Sequence, residues 1–195
     1  MTQLFINVAV IGDDRTGKSR LITRLVDGQY DESVRVVNLH TKRWDTRAKG
    51  VEMTLRISDE GSSGMYVPIK CSLKHAHAAL VLFDITNEKS FIWAQRAIQV
   101  MQNDPPACLR AGCLVGTKTD LHLDRGVDHQ TVRAYAASLD IPYLEVSAKE
   151  GINVQECFEV LADQLADALQ EVELLPETKP EIVSEHAHAS RCQIL

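Results

Sequence analysis

One eight-residue motif constrains the fold of this chain more than any other sequence feature. Residues 12–19 match the pattern G-x-x-x-x-G-K-[ST], between an apolar run at residues 4–11 and a helical apolar period at residues 19–26. Glycines let a backbone wrap around phosphate groups, and amides at the start of a helix favour anions. Lys18 can then reach the β- and γ-phosphates, while Ser19 can offer its hydroxyl to Mg²⁺. This context predicts a phosphate-binding loop rather than a turn without a ligand.

Apolar runs typical of strands alternate with helical periods along the rest of the chain. Such alternation predicts an α/β fold, with a mainly parallel sheet covered by helices on both faces and ligands at the carboxyl ends of the strands. Residues 47–50 are predicted to turn a hairpin between the second and third strands. The strands are predicted at residues 4–11, 39–45, 51–58, 78–83, 111–115 and 142–146. The helices are predicted at residues 19–26, 90–101, 128–139 and 154–169.

Composition excludes several classes of protein. Apolar residues make up 45% and charged residues 25% of the 195 residues, which is typical of a globular domain and not of a disordered or collagen-like chain. The net charge of −6 argues against nucleic acid as a partner. Five scattered cysteines without a C-x-x-C spacing favour a reducing, cytoplasmic compartment over a disulfide framework or a zinc site.

Two short segments follow later strands and can select a base. Thr117, Lys118 and Asp120 follow the fifth strand, and residues 147–149 (Ser-Ala-Lys) follow the sixth. A carboxylate such as Asp120 can accept hydrogen bonds from the N1–H and the exocyclic amine of guanine, whereas adenine lacks this pair of donors. Each segment alone is a weak signal, but behind a phosphate-binding loop the two together predict guanine.

With residues 81–86 (VLFDIT), 90–91 and 145–151 (EVSAKEG), these motifs resemble the Ras superfamily of small GTPases, and its Rab branch most closely, over residues 4–172. The resemblance implies a P-loop NTPase fold, with a six-stranded sheet, five helices and one antiparallel edge hairpin. It also implies GTP or GDP and Mg²⁺ as cofactors. The nucleotide-binding residues are then Gly12, Asp14, Arg15, Thr16, Gly17, Lys18, Ser19, Arg20, Tyr30, Thr117, Lys118, Asp120, Leu121, Ser147, Ala148 and Lys149.

The resemblance assigns roles to four of these residues. Asp120 would read guanine, Lys118 would pack along the base and the phosphate-binding loop, and the Ala148 amide would donate to the guanine oxygen. Tyr30 stands where the family places an aromatic ring on the base edge, although simple packing explains a tyrosine there equally well.

The family's D-x-x-G-Q motif is altered in this chain. Asp59 is kept. It would hold Mg²⁺ through a water molecule, and Ser19 would bind the ion through its hydroxyl. Ser62 replaces the glycine that contacts the γ-phosphate, and Ser63 replaces the glutamine that orients the attacking water. A one-residue slip would make Gly61 the motif glycine, but Ser62 would then replace the glutamine with the same consequence. The chain therefore has no catalytic glutamine where the family expects one.

Two further positions depart from the family. The switch threonine that ligates Mg²⁺ falls on Val37, and Thr41 would need a four-residue shift to take its place. Asp14 stands where Ras has a glycine, so its side chain crowds the attacking water and any arginine finger. Arg15 either neutralises Asp14 or, as we favour, points to solvent. These losses predict weak or absent hydrolysis.

Residues 1–173 are predicted to form the GTPase domain, and residues 174–195 a flexible tail. The last four residues, Cys192-Gln-Ile-Leu, match a prenylation motif in which leucine favours geranylgeranyl. A single lipid anchors weakly, and residues 171–195 carry five acidic side chains against Lys179 and Arg191. We therefore expect reversible attachment to the cytosolic face of a membrane, assisted by a prenyl-binding escort protein.

Two functions remain open at this stage. The first is a membrane-associated switch in vesicle trafficking or signalling that cycles slowly between GDP and GTP. The second is a pseudo-GTPase that serves as an interaction platform. In either case effectors and regulators would bind through the switch segments, about residues 29–42 and 59–73. An ATP-binding enzyme is disfavoured by Asp120 and by the Ser-Ala-Lys segment.

Overall fold

The structure is a computed structural model that describes residues 4–30, 41–59 and 69–173. Six strands and five α-helices alternate along these residues. The strands are β1 (Leu4–Gly12), β2 (Thr41–Ala48), β3 (Val51–Asp59), β4 (Ala78–Asp84), β5 (Ala111–Thr117) and β6 (Tyr143–Val146). The helices are α1 (Lys18–Asp27), α2 (Ile69–Leu73), α3 (Glu88–Asn103), α4 (His129–Ser138) and α5 (Val154–Glu173), with a 3-10 helix at Thr119–Asp124.

The six strands form one mixed sheet in the order β2-β3-β1-β4-β5-β6. Only β2 and β3 pair antiparallel, at one edge, and the other neighbouring strands are parallel. Their hairpin turns through Lys49 and Gly50, which both have positive φ. The predicted mostly parallel sheet with one antiparallel edge hairpin is confirmed.

Hydrophobic clusters cover both faces of the sheet. Leu21, Phe158 and Leu165, from α1 and α5, pack with Leu55 and Leu80 on one face. Side chains of α2, α3 and α4 pack on the other, where Phe83 lies 5.0 Å from Phe91, measured between ring centroids. Every residue of β4 is buried, as expected of a central strand covered on both sides.

The parallel strands all end at one edge of the sheet. Because β1, β3, β4, β5 and β6 run in the same direction, their last residues lead into loops that share this edge. The last residues are Gly12, Asp59, Asp84, Thr117 and Val146. Most of the predicted site residues lie in these loops.

Some predictions fall outside the described residues, and some elements were not predicted. Val37, Gly61, Ser62, Ser63 and Cys192 lie outside the part of the chain that the structure describes. The five α-helices match the number that the resemblance implies, but no residue range was predicted for α2 or for the 3-10 helix. The hairpin turn is two residues shorter than predicted. Within the described residues, no helix has the length and apolar character needed to cross a bilayer.

Candidate functional site

The loop between β1 and α1 has the backbone of an anion-binding site. Arg15 and Gly17 adopt positive φ values of 58° and 89°, which turn the chain sharply before the helix. Gly12 has no room for a side chain, because an added Cβ would lie 2.7 Å from the Leu82 carbonyl oxygen and from the Thr16 hydroxyl. Successive amides in such a turn form a concavity that favours anions.

Lys18 folds back over this loop. Its Nζ donates to the carbonyl oxygens of Gly12 at 3.0 Å and of Asp13 at 2.8 Å, and the residue is only 7% exposed. Burial lowers the pKa of Lys18, while the charges of Asp59, Asp14 and Asp13 act in the opposite direction. The ammonium therefore lies at the centre of the loop, held by backbone oxygens.

Asp14 and Arg15 point outward from the loop. Their side chains are 74% and 92% exposed and approach to 3.8 Å, which is a weak, solvated ion pair. The predicted solvent-facing orientation of Arg15 agrees with this geometry.

Ser19 and Asp59 make a site that fits a magnesium ion. The Ser19 hydroxyl donates to Oδ2 of Asp59, and Oδ1 of Asp59 is buried without a hydrogen-bond partner among the described residues. A buried, unpaired carboxylate oxygen is costly unless a ligand completes its bonding. Magnesium prefers such hard oxygen ligands.

A cavity of about 260 Å³ lies beside the loop. It joins the phosphate-binding loop to both segments that were predicted to read a base. Two of the lining residues contact each other: the guanidinium carbon of Arg20 lies over the ring of Tyr30, 6.0 Å from the ring centroid. The cavity is lined by Gly17, Arg20, Leu21, Tyr30, Thr117, Lys118, Asp120, Leu121, Val146, Ala148 and Lys149.

Asp120 is held in place from the neighbouring loop. The hydroxyl of Ser147, which is fully buried, donates to Oδ1 of Asp120 at 2.7 Å and accepts from the Glu150 amide at 3.1 Å. Backbone hydrogen bonds between Ser147 and Ile152 close the loop. One carboxylate oxygen of Asp120 is thus engaged by the protein, and its position at the cavity wall is fixed.

Two contacts at this edge were missed by the sequence analysis. Thr117 Oγ1 lies 2.8 Å from the carbonyl oxygen of Thr16, so it links the base segment to the phosphate-binding loop. Lys118 Nζ pairs with Asp84 Oδ2 at 2.5 Å, and Asp84 is itself fixed by Thr86. Asp84 ends the strand next to Lys118, and that adjacency becomes visible only once the order of the strands is known.

Glu145, in β6, links the segment that follows β5 to the loop that follows β6. It accepts two hydrogen bonds from Arg125, at 2.8 and 2.7 Å, and further bonds from Tyr143 and His129. Its backbone oxygen accepts from the Asn153 side chain at 2.8 Å. Burial raises the pKa of Glu145, but these hydrogen bonds outweigh it and bring the pKa to about 2.

Comparisons with known proteins show which family the chain is similar to. A profile of the Ras family matches residues 7–167. The Ras-related protein Rab-1A of Dictyostelium discoideum is 33% identical over 163 residues, which cover 82% of this chain and 80% of that protein. The GTP-binding protein YPTM1 of Zea mays is 30% identical over 194 residues, which cover 94% of this chain and 93% of that protein.

Proposed function

The chain belongs to the Ras family of small GTPases, and from this premise we propose that it is a Rab-like, membrane-associated switch that binds GDP and GTP but hydrolyses GTP weakly or not at all. One observation carries the nucleotide assignment: Lys18 with its loop and the Asp120–Ser147 pair flank the same edge of the sheet, beside one cavity. One ligand could therefore place its phosphates at the loop and its base against the Asp120 carboxylate, which accepts N–H donors.

The charged groups suit the two ends of a guanine nucleotide. The Lys18 ammonium and the loop amides would take the phosphates. The Asp120 carboxylate would accept the two N–H donors of guanine, with Ser147 holding one of its oxygens in place. The Ala148 amide and the Lys118 side chain border the same cavity and would contact the base.

Magnesium would be held by the Ser19 hydroxyl and, through water, by Asp59. The unpaired Oδ1 of Asp59 supports this assignment. The bound ion would neutralise phosphate charge during binding and transfer.

Weak hydrolysis is supported by residue identity at three positions. Ser63 replaces the glutamine that orients water, Val37 replaces the switch threonine, and Asp14 adds an exposed carboxylate at the loop. Water orientation and an arginine finger belong to effects worth about 10³–10⁵ in rate. A second candidate, a pseudo-GTPase that serves as an interaction platform, is favoured by the same three residues and differs only in never cycling.

The membrane assignment is carried by sequence. We include geranylgeranylation of Cys192, a prenyl-binding escort and reversible residence on a cytosolic membrane face in the proposal. Effectors and regulators of vesicle trafficking would bind through residues 29–42 and 59–73. Residues 1–173 would form the GTPase domain and 174–195 the tail.

Base selectivity tests the central assignment. Purified protein is titrated with fluorescently labelled GDP, ADP and XDP, alongside the variants D120N and D124N. GDP should bind far more tightly than ADP, and D120N should lose GDP affinity while gaining XDP, because its amide can donate to the xanthine 2-oxygen. Asp124 is an exposed carboxylate at the end of the same 3-10 helix, so D124N should behave as wild type. Equal affinity for ADP and GDP would reject the assignment.

A further inference from the structure

The side chain of Arg24, in the last turn of α1, lies between two segments that border the nucleotide cavity. Its Nη1 donates to the carbonyl oxygen of Gly28 at 2.9 Å, at the left-handed residue that ends the helix. A cation in this turn also interacts favourably with the negative end of the helix dipole. Tyr30, which lines the cavity, follows Gly28 by two residues. Arg24 therefore fixes the point at which the chain leaves α1 toward the cavity.

The guanidinium of Arg24 also packs against the loop that follows β6. A Cβ added to Gly151 would lie 2.7 Å from Nη2 of Arg24 and 3.2 Å from its Nε, so a side chain at this position would displace the guanidinium. Gly151 has a positive φ of 76°, a conformation that glycine adopts without strain. Arg24 thus contacts the loop directly at its backbone.

The loop that Arg24 contacts is the one that holds Asp120. The carbonyl oxygen of Ser147 accepts from the amides of Gly151, at 2.8 Å, and of Ile152, at 3.0 Å. The Ser147 hydroxyl in turn donates to the Asp120 carboxylate. A continuous series of contacts therefore leads from Arg24 through Gly151 and Ser147 to the carboxylate that we assign to guanine.

We propose that Arg24 is a positioning residue whose guanidinium holds the end of α1 and the loop after β6 together, and that it thereby slows nucleotide release and sharpens the preference for guanine. This inference rests on the proposed function and extends it to a residue outside the cavity. Without the guanidinium, the loop loses its contact with α1, and Asp120 is held less firmly. A carboxylate that is held less firmly makes weaker hydrogen bonds to a base, because binding must then also order it.

Base discrimination separates a positioning role from a general effect on stability. IDP keeps the N1–H of guanine but lacks the exocyclic amine, so the ratio of the dissociation constants for IDP and GDP measures the bond from this amine to Asp120. A substitution that only destabilises the fold weakens the binding of both nucleotides equally and leaves the ratio unchanged. A substitution that loosens Asp120 lowers the ratio.

The first variant, Arg24→Ala, removes a half-buried side chain at the surface of α1. Arg110→Ala is the matched control, since Arg110 also donates to backbone carbonyl oxygens, those of Ala107 and Leu109. Arg110 immediately precedes β5, so it lies at the end of the sheet opposite to the nucleotide cavity. Melting temperatures verify that both variants fold.

The experiment follows the release of labelled GDP during a chase with unlabelled GDP, and measures the dissociation constants for GDP and IDP by competition, with Mg²⁺. Wild type should bind GDP about tenfold more tightly than IDP, because Asp120 loses one partner with IDP. In R24A, GDP should dissociate about tenfold faster, and the ratio of the two constants should fall about threefold. R110A should match wild type in both measurements.

The variant Gly151→Ala perturbs the same contact from the loop. In wild type its Cβ displaces the guanidinium of Arg24, whereas in R24A there is no guanidinium to displace. G151A should therefore speed GDP release more in wild type than in R24A, as expected for residues in contact. An unchanged ratio in R24A, or additive effects of the two substitutions on release, would overturn the inference alone. A wild-type protein that binds GDP no more tightly than IDP, or binds neither, would overturn the proposed function as well.

Discussion

The Thr117 hydroxyl oxygen lies 2.8 Å from the backbone carbonyl oxygen of Thr16, although 101 positions separate the two residues. The same hydroxyl lies 3.0 Å from the carbonyl oxygen of Phe83, so carbonyls of β4 and of the phosphate-binding loop are both within reach of its single proton. Thr117 is 4% exposed, and these carbonyls have little access to water as a substitute. This contact couples the part of the site that holds phosphates to the part that reads the base.

Replacing Thr117 by valine keeps its shape and removes the donor. Loss of a buried hydrogen bond costs about 1–3 kcal/mol. We expect the free energy of unfolding of T117V to fall by about that amount, and labelled GDP to dissociate about tenfold faster in stopped-flow chase experiments. T117S retains the hydroxyl and should stay close to wild type. Equal dissociation rates for the valine variant and wild type would show that the contact is not needed.

Glu145 should stabilise the protein in a pH-dependent way. Its pKa is lowered from an ordinary value of 4.5 to about 2, so the native state binds fewer protons than the unfolded state between these values. The stabilisation is therefore present above about pH 4.5 and is lost as the pH falls through about 2. E145Q should reduce the free energy of unfolding at pH 7 by about 2 kcal/mol and flatten its acid dependence in urea titrations. A parallel pH profile for variant and wild type would contradict this role.

His77 should contribute a second pH dependence at milder acidity. Its Nδ1 accepts a hydrogen bond from the backbone N–H of Asn7 at 2.9 Å, which requires an unprotonated nitrogen. Burial, and next the Arg110 charge, lower the pKa of His77 from its ordinary value of 6.5. The native state thus binds fewer protons, and stability is full above pH 6.5 and declines as the pH falls through the native pKa. H77N keeps an acceptor that does not titrate, so its urea midpoint should change less between pH 7.5 and 5.5 than that of wild type. A wild-type midpoint that is constant over this range would refute the prediction.

Restoring the family's residues should restore turnover. The double variant S63Q/D14G returns the water-orienting glutamine and removes the carboxylate beside the attacking water. Single-turnover hydrolysis should rise by about tenfold or more. S63A/D14G, which lacks the glutamine, is the control and should rise less. If the glutamine variant is no faster than wild type, Ser63 and Asp14 do not account for the weak hydrolysis, and Val37, at the position of the switch threonine, is the next residue to restore.

Much of the fold was accessible from the sequence because its signals are local. The phosphate-binding loop, the continuous apolar run of β4 and the apolar face of α5 can each be recognised from residues that are near one another in the sequence. Helix α2 is only five residues long, so it offers no full helical period to detect. The 3-10 helix at Thr119–Asp124 has side chains without a periodic apolar face, so its residue pattern does not distinguish it from a loop.

The contacts that hold the site together were harder to predict. Asp120 and Lys118 were identified from a short motif, whereas their partners Ser147 and Asp84 lie 27 and 34 positions away. Which strand ends are neighbours depends on the order of the sheet, and that order follows from packing of the whole domain. The pairing of Asp84 with Lys118 is therefore a property of the fold rather than of either segment.

The central claim is that a guanine-nucleotide cradle persists in a chain whose hydrolytic residues have been lost. It is tested by denaturing the purified protein, separating the released nucleotide by chromatography, and then following one round of conversion after loading with GTP. We predict that the released nucleotide is guanine-based, and that bound GTP persists for hours, with a rate below the roughly 10⁻⁴ s⁻¹ that is typical of an unassisted small GTPase. Released ATP, no guanine nucleotide even after loading, or conversion within seconds would contradict the account.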